Sequence, residues 1–250
     1  MSVDPARLDG RTAIVCGAST GIGLGVAEAL RAAGAQIAMF ALDGEELRRE
    51  AERLGGLAVV GDFTDEGDLR SLVDATLGAF GSVDIVVHNG AGAPDADATT
   101  TSAEVLRLGF ERMLLPTVAL TQLALPHLRR SAAGRVIAIT STSVREPIAG
   151  MAASNAFRPA TAGWLKMLST EIGAQGITVN SVGPGRIATR TLLSFYEGRS
   201  REHDLAEIPL RRFGTSREVG EVVRFLASDA GAYVNGTHIP VDGGLSRELC

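Results

Sequence analysis

Directly after the apolar run TAIVC stands Cys16-Gly17-Ala18-Ser19-Thr20-Gly21-Ile22-Gly23, a turn whose glycines let backbone N–H groups approach an anion closely. If a helix opens there, its positive end adds to the attraction, so the segment reads as a pyrophosphate-binding turn. Other residues able to do chemistry are few. The chain has two tyrosines and one lysine, Lys166. Tyr196, in FYEGRSREHD, could close over a substrate and act as an acid, or be an apolar contact or solvent-exposed, whereas Tyr233 reads as packing. Arg145 and Glu146 form a loop pair: the guanidinium could hold a carboxylate or enolate and the carboxylate could serve as base, or the two could simply pair with each other. His88 ends an apolar run, near a ligand edge or in the core. His127 and His203 show no metal-ligand spacing and no Cys/His cluster occurs, so no metal is expected.

These residues need a frame. Seven short apolar runs, at 12–16, 36–40, 57–60, 84–88, 135–140, 177–182 and 237–241, alternate with longer segments such as GLGVAEALRAAG and DGEELRREAERLGG, whose apolar residues recur three and four apart. Strand and helix in repeated alternation predict a parallel sheet covered on both faces, an α/β Rossmann-type doubly wound fold of about seven strands. The whole chain, 1–250, reads as one domain. The stretch from Gly183 to Pro209 lacks periodicity, and a loop beyond a strand's carboxyl end, about 190–208, is expected to be a substrate lid.

A net charge of −5 gives a nucleic-acid backbone nothing to bind, and the arginines from Arg199 to Arg217 are interleaved with acids. Two cysteines, Cys16 and Cys250, provide no disulfide framework. No signal-like segment opens MSVDPARLDGR and no run of about 20 apolar residues occurs. The expectation is a cytoplasmic protein with no nucleic-acid or membrane partner.

The Gly-x-x-x-Gly-x-Gly turn resembles that of the short-chain dehydrogenase/reductase family, and the likeness extends over nearly the whole chain. DIVVHNGAG resembles the family's strand end with His88 in place of an asparagine, and NSVGPGRIATR and PLRRFGTSREVGEVVRFLASD through IPVDGG resemble its later signatures. The resemblance implies a nicotinamide dinucleotide held by Gly17, Ser19, Thr20, Gly21, Ile22 and Gly23, with Leu42, Asp62 and Phe63 around the adenosine. Asn89 and Gly90 would lie along its middle, and Pro184, Gly185, Ile187 and Thr189 beside the nicotinamide. An acid at the end of the second strand would select NAD and a base NADP; here stand Ala41 and Leu42, and the nearby Asp43 disfavours a 2′-phosphate, so NAD is expected over NADP if a dinucleotide binds. Family members usually assemble through two long helices, which implies a homodimer or homotetramer acting on a small-molecule substrate.

The same resemblance exposes departures. The family's serine is matched by Ser141 in ITSTSV, but aligning GMAASNAFRPATAG with its Tyr-x-x-x-Lys helix puts Met151 and Asn155 at those two positions, and Met113 stands where an asparagine is usual. Lys166 cannot substitute, being about 16 Å from Asn155 along a helix. Pro116 and Pro159, inside expected helices, predict breaks that turn freed carbonyls toward the pocket. Arg145-Glu146-Pro147 with Ser154-Asn155 is similar to a divergent branch, akin to ketoacyl-carrier-protein reductases, that lacks the full catalytic tetrad. The implied activity is an oxidoreductase for a small carbonyl or alcohol, with Ser141, Arg145, Asn155 and Tyr196 as its catalytic candidates. The alternatives are a non-redox dehydratase, isomerase or cyclase on the same scaffold, and a silent binding subunit.

Overall fold

A computed structural model describes residues 4–248; Cys250 and the first residues of the N-terminus lie outside them. The seven apolar runs are strands: β1 (Thr12–Cys16), β2 (Gln36–Ala41), β3 (Leu57–Val60), β4 (Ile85–His88), β5 (Arg135–Ile139), β6 (Thr178–Pro184) and β7 (His238–Val241). They form one parallel sheet in the order β3-β2-β1-β4-β5-β6-β7. Between β1 and β4 the winding reverses, and in such sheets ligands bind beyond the carboxyl ends of the strands at that point.

Helices α1 (Gly21–Ala32), α2 (Gly44–Leu54) and α9 (Ser216–Ala227) cover one face, with Val26, Leu30, Leu47, Val219 and Val223 packed on Val15, Ile37 and Val87. On the other face lie α3 (Glu66–Phe80), α5 (Leu115–Leu128) and α6 (Ala152–Ile172), with Leu72, Leu120, Leu165 and Leu168 on Ile14, Val86 and Val136. Both faces of the central strands are therefore apolar, as uninterrupted runs such as TAIVC require.

Two expectations are corrected in detail. The aperiodic stretch after β6 contains two short helices, α7 (Arg190–Phe195) and α8 (Glu202–Glu207), each too short to show a periodic stripe. The proline breaks do not open the pocket: α6 runs through Pro159 without interruption. At Pro116 the chain passes from α4 (Ala103–Gly109) through a π turn at Phe110–Leu114 into α5, with Leu115 N–H donating to Phe110 O. Pro116 has no N–H, and the wider turn absorbs that loss. The carbonyl of Met113 is not free for a ligand, because it accepts from the hydroxyls of Thr117 (3.2 Å) and Thr161 (3.1 Å).

Candidate active site

The phosphate end of the cleft is built from backbone. Gly17 and Gly21 hold φ of 59° and 57°, the left-handed region glycine tolerates. A Cβ on Gly23 would lie 2.1 Å from the carbonyl oxygen of Gly17, so no other residue fits there. Thr20 caps α1 by backbone alone, with no side-chain hydrogen bond and no acid in the first turn, whereas α2, α3 and α9 are capped by Asp43, Asp65 and Thr215. The first N–H groups of α1 thus lack a side-chain acceptor and face outward beyond β1, which fits a dinucleotide pyrophosphate. Thr189 at the base of α7 lies over this turn, where its methyl would be 3.3 Å from a Cβ on Gly21. Its hydroxyl caps α7 by accepting from Leu192 N–H.

Around the adenosine position, Leu42 is exposed at the end of β2 and Asp43 accepts from Glu46 N–H. Asp62 accepts from the backbone N–H and hydroxyl of Thr64, which with the more distant Arg112 hold its carboxyl below the usual range. Phe63 lies across Gly90, where a Cβ would meet its ring at 2.7 Å. The amide of Asn89 reaches Gly17 O at 3.4 Å, tying β4 to the phosphate turn. Ile187 is a core side chain pairing by backbone with Gly214, so only its main chain is available to a ligand.

The reaction end is a cavity of about 250 Å³ whose wall includes Ile22, Asn89, Met113, Ser141, Met151, Ser154, Arg158, Pro184 and Gly185. Two loops close it: Ala96, after β4, pairs in parallel with Met151, its N–H donating to Gly150 O and its carbonyl accepting from Ala152 N–H. Ser141 leaves β5 in extended conformation, and its Oγ accepts from Ser143 N–H at 3.0 Å. With a lone pair so occupied, the hydroxyl proton of Ser141 is free to donate to a substrate oxygen. Behind it, the buried hydroxyls of Ser143 and Ser154 share a hydrogen bond of 3.1 Å.

Helix α6 and its N-cap bring Met151 to the cavity but not Asn155. Met151 precedes the helix as its N-cap, and the polar pair that faces the cavity is Ser154 with Arg158, one turn apart. Their four-residue spacing is that of the family's tyrosine and lysine. Asn155 is turned away and clamps the neighbouring loop, its Oδ1 accepting from Ile148 N–H (2.9 Å) and its Nδ2 donating to Ile148 O (2.8 Å). The signal in the sequence was an i, i+4 Ser/Arg pair, three positions after the Met151/Asn155 pair on which the alignment with the family centres. Arg158 is part-buried, donates to Ile139 O at 3.1 Å, and burial pushes its guanidinium down to about 10.

Three further candidates do not line this cavity. Tyr196 is buried within the segment after β6, its hydroxyl donating to Asp204 and its ring packed on Phe195 and Phe213; burial and Asp204 push its pKa up to about 12. The apolar neighbours of that segment, not the cleft, claim the ring. Arg145 borders a second hollow beyond α6, donates to His238 O (3.4 Å) and approaches Glu248 (3.9 Å), while Glu146 accepts from Arg247 N–H; the two do not pair. His88 is in the core beside Thr121 (2.9 Å), and because the Thr121 hydroxyl donates to Thr117 O, His88 carries its proton on Nε2 and leaves Nδ1 without a partner. Burial lowers its pKa to about 3, so it is neutral at physiological pH. The fold also gathers His203, Asp204 and Glu207 on α8, though Arg186 holds both carboxylates, at 3.0 and 2.6 Å.

A family model described as Enoyl-(Acyl carrier protein) reductase matches residues 17–246. The chain is 29% identical over 251 residues to 7alpha-hydroxysteroid dehydrogenase of Escherichia coli, covering 98% of each protein. To the 3-oxoacyl-acyl-carrier-protein reductase FabG of that organism it is 31% identical over 241 residues, covering 96% of this chain and 98% of the other. Among solved structures, 7 alpha-hydroxysteroid dehydrogenase complexed with NADH and 7-oxo glycochenodeoxycholic acid matches with a TM-score of 0.91 at 28% identity, covering 100% of both chains.

Proposed function

This chain belongs to the short-chain dehydrogenase/reductase family, and we propose that it is an oxidoreductase interconverting a small carbonyl compound and its alcohol with NAD(H), through a serine-based pocket. The observation that carries this reading is the continuity of one cleft: the uncapped start of α1 lies at one end, and Ile22 of that same helix joins the wall that holds Ser141. When bound, the dinucleotide supplies or accepts the hydride. The protein's part is to hold the substrate oxygen against Ser141 Oγ–H, with the Ser143–Ser154 pair fixing the neighbouring wall. In the reducing direction the carbonyl π pair moves onto oxygen, which takes its proton from water, since Ser141, Ser154, Met113 and Met151 provide no acid that titrates near neutrality. On this reading the chain belongs to a divergent branch of the family that works without the tyrosine and lysine.

NAD(H) is favoured because a 2′-phosphate at the end of β2 would meet Asp43, Glu45 and Glu46, while Arg190 is already paired to Glu46 at 2.6 Å. Residues 190–208 serve as the lid, resting on the phosphate turn through Thr189. Self-association is proposed through α5 and α6: LPTVALTQLALPHL is predominantly apolar and exposes its own Leu115, and Phe110 of the π turn and Met167 of α6 are exposed as well. A cytoplasmic setting suits Cys16, whose buried thiol is pushed far up from its usual range. No helix of the described residues is long and apolar enough to cross a membrane.

The test is thermal melting with NADH and with NADPH, then the absorbance of the reduced cofactor with a panel of ketones. NADH is expected to raise Tm more than NADPH and to be consumed with at least one ketone. Stabilisation without turnover of any ketone or alcohol would remove the redox reading.

A further inference from the structure

Arg158 is a cation without a counter-ion in the wall of the reaction cavity. Two other part-buried arginines are matched with carboxylates: Arg11 with Asp229, and Arg186 with Asp204 and Glu207. Arg158 instead donates through Nη1 to Ile139 O at 3.1 Å, and no acceptor among the described residues meets its Nε or Nη2. The one carboxylate in the wall, Asp95, belongs to the exposed loop after β4 and forms no ion pair with it. Burial alone lowers the affinity of Arg158 for its proton, with no carboxylate acting to raise it.

A guanidinium held by one nitrogen with its Nε–Nη2 edge open is the half of a fork-to-fork pair that a carboxylate completes. The cavity, about 250 Å³ and shared with Pro184 and Gly185, has room for a small group, and one cation balances one carboxylate better than a doubly charged phosphate. We propose that the substrate is an oxo acid or hydroxy acid, whose carboxylate pairs with Arg158 while its carbonyl or hydroxyl oxygen meets Ser141. This rests on the oxidoreductase reading for the identity of the reacting group, and on Arg158 alone for the carboxylate.

The test compares acids with their own methyl esters, which share a skeleton and differ in charge: 2-oxobutanoate, 3-oxobutanoate and 4-oxopentanoate, titrated calorimetrically into the full-length protein with and without NADH. At least one acid is expected to bind about 10- to 100-fold more tightly than its ester, as a charge-assisted hydrogen-bonded pair provides. In Arg158→Met that ratio falls to near one, with ester and NADH affinities unchanged, and Arg158→Lys keeps part of it because the charge remains and the fork is lost. Equal binding of acids and esters by the unmodified protein, or no binding of any acid, overturns the proposal, and neither needs a variant that folds. A loss of NADH affinity in Arg158→Met as large as the loss for the acid also overturns it, since the arginine would then be holding the cofactor. Preference for the acid without any reaction of NADH would leave the carboxylate site standing and remove the oxidoreductase reading instead.

Discussion

The two ends of the cleft are built from different materials. At the glycine turn, the groups on offer are the backbone of Gly17 to Gly23 and the uncapped start of α1, and the sequence there must keep only the glycines that let the chain pass. At the cavity, the groups on offer are side chains that follow β5 or sit on α6, where Ser141, Ser154 and Arg158 share a wall with Met113 and Met151. Backbone donors are the same whatever the neighbouring residues, so the first end tolerates change around it without altering its chemistry. The second alters its chemistry with each side chain.

The sharpest way to break the comparison is at Gly23. Gly23→Ala puts a methyl 2.1 Å from a backbone oxygen, and the turn must shift, so stabilisation by NADH is expected to vanish in melting experiments. Retained NADH stabilisation would show that the turn is not the phosphate site. Next in size is Ser141→Ala, which removes the donor to the substrate oxygen: kcat should fall about 100- to 1000-fold while NADH affinity stays as it was. Equal losses in both would mean that the two ends are not separable.

A smaller effect concerns a residue that the sequence places in the chemistry and the fold does not. Asn155→Ala leaves the N–H and carbonyl of Ile148 without their side-chain partners, and a loss of about 1–3 kcal/mol in unfolding free energy is expected in urea titrations. NADH affinity should be unaffected, and a large change in it would return Asn155 to the cleft. The smallest effect is with pH. His88 and His238 are lowered to about 3 and about 4, mainly by burial, so both are neutral when folded and charge more readily when unfolded. Their contribution is complete above the ordinary histidine value near 6.5 and is lost as pH falls from there toward 3 to 4. Melting temperatures should therefore decline from about pH 6.5 downward, and His88→Asn should make the decline shallower; an unchanged slope would place the titration elsewhere.

Much of the fold was legible because its signals are local. Runs such as TAIVC and RVIAI are strands because β-branched and apolar residues in unbroken sequence suit a sheet buried on both faces, and helices between parallel strands follow from the crossover they must make. The phosphate turn was legible for the same reason, since strand, glycines and helix are contiguous. The segment after β6 was legible only as a gap in periodicity, because six-residue helices such as α7 and α8 complete fewer than two turns.

By itself, then, the sequence determined the order of strands and helices, the place of the glycine turn between β1 and α1, and the absence of a tyrosine and lysine from the expected positions. Which side chains share the reaction cavity was decided by the tertiary structure. Each residue advances a helix by about 100°, so the face that α6 presents depends on where its first turn begins. That start is set by the pairing of Met151 with Ala96, 55 positions earlier in the chain, which no local pattern contains. The pairing turns Ser154 and Arg158 inward and Asn155 toward Ile148. A long-range contact likewise took Arg145 to His238, whereas Tyr196 turned to Asp204, eight positions on, within its own packed segment. Composition tells which groups a chain owns, and packing between distant segments decides which of them meet.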